Sequence, residues 1–196
     1  RISRMGLAMA KISEKLDQAE YDQSLDEVTQ INDRKAFDSK FKYLTDINRF
    51  CPRKSLLILA EVDDFEQITE RLGQEAGDKV LFDIAAVLSR TVFGKAVLVS
   101  RYDAFTFGML LPDVSLARVN EICKSLIKAT RKLEFPDITM SLMVSLSVGV
   151  SYIQEDDSRE IWMGRAEAVL DQSKSEGGDQ CYLHNLDDKV MCIVPK

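Results

Sequence analysis

An α/β (α+β) fold, ferredoxin-like in outline with a mainly antiparallel sheet and helices packed on it, is predicted by three observations. Ser55–Val62 is a near-continuous apolar run of strand length. Ala96–Arg101 and Ala104–Leu111 read as a hairpin with Tyr102-Asp103 at or near its tip. Stretches of helical periodicity around them give the order helix, strand, two helices, hairpin, helix, strand, helix, strand. That order suits helices laid on a largely antiparallel sheet.

Residues 1–25 read as a helix with Ile2, Met5, Met9, Ile12, Leu16 and Ala19 on one face. The spacing alternates three and four, the heptad rhythm of a coiled coil, and stops where Gln23 and Asp26 would hold the next seam positions. Such a helix either lies on its own domain or ends a longer dimer stalk, and a homodimer through it is expected. Residues 34–50 carry helical periodicity through Phe37, Phe41, Leu44 and Ile47 until Pro52 breaks it. Asp64–Leu72 and Glu75–Val92 read as two helices parted by Gly73. Val114–Leu133 is helical, Met140–Tyr152 is a strand, and Ser158–Ser175 is the last clear helix. A short strand around Cys181–Leu183 follows, and Val190–Val194 is a candidate edge strand. The expected organisation is a stalk or signalling helix over 1–25, a domain over 26–184 and an extension over 185–196.

With 196 residues the chain is long enough for one domain with a substantial core. Its 45% hydrophobic and 30% charged residues are ordinary for a soluble globular protein. A net charge of −6 argues against nucleic acid, which favours a basic face. No apolar run approaches the roughly 20 residues that span a bilayer, so no direct membrane insertion of this stretch is expected. The chain opens at Arg1 with neither Met nor signal peptide. It is expected to be a piece of a longer, cytoplasmic protein whose remainder could hold a membrane anchor. Cys51, Cys123, Cys181 and Cys192 lack the paired spacing of zinc or redox sites, and reduced thiols are expected. The single His184 has no ligand cluster around it.

Arg101-Tyr102-Asp103-Ala104-Phe105-Thr106-Phe107, running on to Leu110-Leu111-Pro112, resembles the hairpin of the GGDEF domain. That domain belongs to the diguanylate cyclases, which join two GTP molecules into cyclic di-GMP. The family writes Arg-Tyr-Gly-Gly-Asp-Glu-Phe, then an apolar run and Pro. Asp26–Phe37 is similar to Asp-x-Leu-Thr-Gly-Leu-x-Asn-Arg-Arg-x-Phe, and Glu61–Glu66 to Asp-Ile-Asp-x-Phe-Lys. Gly73–Leu81 is similar to Gly-His-x-x-Gly-Asp-x-Val-Leu, and Ser147–Val150 to Ser-Ile-Gly-Ile. Ala166, Glu167, Leu170, Lys174 and Gly177 follow the closing Ala-Asp-x-Ala-Leu-Tyr-x-Ala-Lys-x-x-Gly-Arg-Asn. The resemblance covers roughly residues 26–184 in order and implies a nucleotidyl-cyclase-type fold.

It also implies where the chemistry has gone. In the family two divalent ions hold the attacking and leaving oxygens of a phosphoryl transfer, and carboxylates hold the ions. By resemblance Glu61 is the first carboxylate and Val62 supplies a carbonyl ligand, both as remnants. The signature Asp, a metal ligand, becomes Phe105, which shares a strand face with Phe107, Met109 and Leu111. The signature Glu, which helps activate the hydroxyl, becomes Thr106, and no catalytic residue remains. The two glycines become Asp103 and Ala104. Glu66 replaces a phosphate-facing Lys, and an anion at ~4 Å from phosphate costs about 4 kcal/mol at an effective dielectric of ~20. Gly178 replaces a phosphate-binding Arg, and Thr69 the guanine-reading Asn. Asp78 and Lys174 survive as guanine and phosphate contacts. Sliding the frame by two would make Asp103 a metal carboxylate but leaves Ala104 as the base and needs a gap and an insertion. The inhibitory Arg-x-x-Asp reads Gly94-Lys95-Ala96-Val97, so no product-feedback site is expected.

The expected function is a catalytically inactive GGDEF domain acting as a regulatory or dimerisation module in cyclic di-GMP signalling. An EAL-type or other signalling domain in the parent protein is a possible partner. Two alternatives stand beside it: a GTP-sensing pseudoenzyme, and a residual cyclase using Glu61 and Asp103. No cofactor is expected, with Mg²⁺ only if nucleotide binding persists.

Overall fold

A computed structural model describes residues 24–50, 52, 54–92, 97–138 and 142–196. The heptad stretch up to residue 23, Cys51 and residues 94–96 lie outside the described residues. The elements are α1 (Arg34–Asn48), β1 (Leu56–Val62), α2 (Phe65–Leu72), α3 (Gln74–Thr91), β2 (Leu98–Arg101), β3 (Thr106–Leu111), α4 (Leu116–Thr130), β4 (Leu146–Tyr152), α5 (Arg159–Ser175), β5 (Cys181–His184) and β6 (Val190–Val194).

Local chemistry sets several boundaries. Asp33, Ser115 and Ser158 stand before α1, α4 and α5 with extended backbone, and each side chain accepts an N–H of the first turn. Gly73 parts α2 from α3 at φ 85°, where any side chain would strain. The fourth strand begins at Leu146 rather than Met140. Ahead of it, Ser145 still gives its carbonyl to the Asp63 N–H in the register of the ladder and ties its hydroxyl to the Asp63 carboxylate. β3 begins at Thr106 rather than Ala104, because the Tyr102 and Asp103 N–H groups both close onto the Thr106 carbonyl and make a wider turn.

The sheet order is β2-β3-β1-β4-β5-β6, antiparallel throughout except for the β4–β5 pair. One face carries Ile58, Ala60, Val62, Phe107, Met109, Val148 and Val150 against α2, α3 and α4. The other carries Leu57, Leu59, Leu98 and Leu110 against Phe37, Phe41, Trp162, Ala166 and Leu170 of α1 and α5. Strand side chains alternate, so β1 feeds both cores, which explains its near-continuous apolar run, broken at Glu61. On β4 the close approach of α5 demands a glycine: a methyl group at Gly149 would lie 2.5 Å from the Ala166 carbonyl oxygen. Trp162 anchors the same helix, donating from Nε1 to the Ser151 carbonyl at 3.1 Å.

The segment before α1 ties onto the hairpin. Asn32 forms a parallel bridge to Ser100 and covers the outer edge of β2. Burial by itself would raise the Asp26 carboxyl, but hydrogen bonds from Thr29 and the nearby Arg101 charge hold it below the usual range. β6 is the edge strand foreseen at Val190–Val194. Among the described residues no helix is long and apolar enough to cross a membrane.

Candidate functional site

One end of the sheet gathers the residues singled out from the sequence. There β1 ends at Glu61 and Val62, β3 begins at Thr106, β4 begins beside Ser147, and α5 runs out through Lys174 into Gly177 and Gly178. Register does the gathering: Glu61 is the cross-strand partner of Thr106 on one side and of Ser147 on the other.

Glu61 is only 15% exposed, and its Oε1 lies 2.7 Å from Lys174 Nζ. Its Oε2 faces the Thr106 hydroxyl at 3.4 Å, a long contact. The hydrogen bond from Lys174 to Glu61 raises the lysine pKa, so Lys174 stays cationic at neutral pH. Val62 buries its side chain and donates its N–H to the Phe105 carbonyl. Phe105 itself points away from this pair. It stacks on Phe65 of α2 with ring centroids 5.6 Å apart and packs on the core beneath α2, α3 and α4. Of the two altered signature positions, only Thr106 shares the face of Glu61.

The two residues expected from the resemblance to stand at guanine-contacting positions, Thr69 and Asp78, lie in α2 and α3 around their junction. The Thr69 hydroxyl is spent inside its own helix on the Phe65 and Glu66 carbonyls. Gly77 packs so tightly on it that a methyl there would come 2.5 Å from Thr69 Cγ2. Asp78 accepts from Gln74 Nε2 at 2.8 Å. Asp103 binds the neighbouring Ala104 N–H at the hairpin turn, and neither residue takes a left-handed backbone. The glycines expected in the family are therefore not required by this turn.

The residue that sequence reasoning quoted without a role is Asp63. Its carboxylate receives the hydroxyls of Ser145 and Ser147 at 2.6 Å each and the Asp179 N–H at 2.9 Å. It thereby fastens the loop after α5. Arg131 holds the same loop through Asp179. A methyl group at Gly178 would sit 2.9 Å from Asp63 Oδ2, at φ +67°. The legible signal was the Ser-x-Ser spacing across the start of β4, opposite the second acid of Glu-x-Asp.

These donors do not fit a pair of divalent ions. Glu61 faces a lysine and a hydroxyl, and Asp63 has both oxygens committed to protein donors. Among the described residues no three His, Cys, Asp or Glu side chains converge as a metal-holding group.

Comparison with known proteins places this geometry. Diguanylate cyclase VdcA of Vibrio cholerae is 26% identical over 174 residues, covering 87% of this chain and 50% of that protein. The coiled coil and GGDEF domain of DgcB from Caulobacter crescentus, solved with c-di-GMP, matches at a TM-score of 0.78 and 21% identity, covering 92% and 97% of the two chains. The S helix-GGDEF-EAL structure of Vibrio cholerae LapD matches at a TM-score of 0.68 and 18% identity, covering 93% and 42%. At such identities the structural likeness establishes the fold. The chain spans half or less of the length of the curated relatives it matches. Residues 23–180 match the family described as diguanylate cyclase, GGDEF domain. The chain therefore belongs to the diguanylate cyclase GGDEF-domain family.

Proposed function

We propose that this GGDEF domain is not a cyclase but a regulatory and self-associating module of cyclic di-GMP signalling within a longer protein. The observation that carries the reading is the Glu61–Thr106 pair across β1 and β3, with Lys174 seated on Glu61. Phosphoryl transfer between two GTP molecules needs divalent ions to steady the attacking and leaving oxygens. A single carboxylate already neutralised by a lysine is a poor ligand for them. A threonine hydroxyl does not accept a proton near neutral pH as a carboxylate does. Lys174, the surviving phosphate contact, is engaged with protein, and the loop at Gly178 is fastened to Asp63.

The architecture of relatives supports a signalling role. A coiled coil accompanies the GGDEF domain in DgcB, and an S helix and an EAL domain flank it in LapD. In this chain, residues 1–25 would carry conformational change from upstream and hold two copies together, while an EAL-type or other signalling domain would receive it.

The test is a product assay on the full chain with GTP and Mg²⁺, run beside a calorimetric titration with GTP. No cyclic di-GMP above a no-enzyme control is expected, and GTP should bind weakly or not at all. Loss of one general base alone commonly removes about 10²–10⁴ in rate. Turnover that vanishes in Glu61→Ala would overturn the reading. A low-micromolar GTP affinity without turnover would hand the lead to a nucleotide sensor.

A further inference from the structure

Lys174 leaves the last turn of α5 and crosses to the end of β1, where its ammonium lies 2.7 Å from Glu61 Oε1. The lysine side chain is 43% exposed and that of Glu61 15%, so a half-exposed cation answers a largely buried anion. Glu61 cannot turn away, because β1 is paired on both sides there, with Thr106 of β3 and Ser147 of β4. Gly149 seats α5 hard against β4, which fixes where the lysine stem begins. The charges of Asp63 and Asp171 bear on the same ammonium. Among the described residues no other cation pairs with Glu61.

We propose that the Lys174 ammonium is an internal cation in place of a divalent ion, so that this domain takes a metal at Glu61 only once Lys174 is removed. The inference rests on reading the site as non-catalytic. An ammonium is a compact, strongly hydrated point charge, and it balances a carboxylate much as a small hard cation does. Carboxylate and hydroxyl oxygens are the donors that Mg²⁺, Ca²⁺ and Mn²⁺ favour. Without the lysine, Glu61 would offer its oxygens beside the Thr106 hydroxyl, with water completing the shell. With the lysine in place, an ion from solution meets a tethered competitor. A group tethered over a short flexible span acts at an effective concentration of about millimolar, enough to exclude an ion held by so few protein donors. Position on the helix adds to this, since a cation in the last turn also neutralises the negative end of the helix. Removing one partner of a buried pair strands the other charge, whereas neutralising both is far milder. That asymmetry separates an internal cation from an ordinary surface lysine.

The test follows the thermal midpoint of the full chain by circular dichroism, in chelator and in millimolar Mn²⁺. Binding is followed in parallel by loss of the free Mn²⁺ electron paramagnetic resonance signal. The parent chain should melt alike in both buffers. Lys174→Met should melt lower in chelator, regain most of the loss in Mn²⁺ and bind the ion. Adding Glu61→Gln to Lys174→Met should restore the midpoint without metal and abolish Mn²⁺ binding. That double variant keeps the parent's net charge, so a general attraction of Mn²⁺ to an acidic chain would not distinguish it from the parent. A parent stabilised by Mn²⁺ as much as Lys174→Met would overturn the proposal. So would a Lys174→Met chain that is blind to Mn²⁺ or stays unfolded in it. Cyclic di-GMP made by the parent would sink the non-catalytic reading and this inference with it, whereas a metal-blind Lys174→Met beside a parent that makes no product sinks the inference alone.

Discussion

Gly178 illustrates how a single lost side chain becomes structurally fixed. Restoring the family's arginine there meets two obstacles, a left-handed backbone at φ +67° and the Asp63 carboxylate 2.9 Å from the new Cβ. Gly178→Arg should destabilise the domain by about 1–2 kcal/mol, the cost of a side chain in the left-handed region, measured as a shift in denaturant midpoint. An unchanged midpoint would show that the loop yields easily. Tyr182 tests the same end of α5 from another side. Its hydroxyl donates to Glu176 Oε2 at 2.6 Å, and that bond pushes the phenol up to about 12. A raised folded-state pKa means the contribution is complete below the ordinary value near 10 and is lost as pH climbs through about 12. Glu176→Ala should therefore bring one tyrosine back toward its ordinary value in an absorbance-monitored alkaline titration. Residue identities were legible at Phe105 and Thr106, but the shared site was not. A strand alternates faces, so two adjacent signature positions cannot both look at Glu61, and only the observed register decided that Thr106 does. Asp63 escaped notice because its partners Ser145, Ser147 and Asp179 lie far along the chain.

At the scale of elements, periodicity located nearly every helix and strand, since apolar faces are written locally. Their ends were less legible where backbone groups leave the regular ladder, as where the Tyr102 and Asp103 N–H groups both close onto the Thr106 carbonyl at the hairpin. The Ser-Val-Gly-Val block in β4 shows what a local motif encodes physically. Gly149 lets α5 press onto the sheet until a Cβ would stand 2.5 Å from the Ala166 carbonyl and 2.6 Å from the Leu170 nitrogen. Backbone on both counts cannot swing aside as a side chain would. Gly149→Ala should therefore cost about 1–3 kcal/mol through overpacking, read as a lower thermal midpoint. It should also loosen the Lys174–Glu61 contact, which depends on the seating of α5. A midpoint within a degree of the parent would mean that α5 can shift without loss.

For the whole molecule, the question is what the fold offers a domain proposed to signal rather than to catalyse. The fold keeps two cores on one sheet, a clamp from Asp26 to Arg101 that joins the N-terminal segment to the hairpin, and the loop pinned by Asp63. The clamp and the pinned loop each tie a chain segment to the candidate site. The proposed role then needs a second copy held by residues 1–25, where the spacing of Ile2, Met5, Met9, Ile12 and Leu16 would make an apolar seam of a helix. Burying that seam gains about 25 cal/mol per Å² before the entropy of association is deducted. Fewer than three clean heptads should hold a dimer only at high concentration. Sedimentation of the full chain should show a concentration-dependent dimer that Met9→Glu with Ile12→Glu weakens. A monomer at every workable concentration would return the seam to its own domain as an ordinary amphipathic helix.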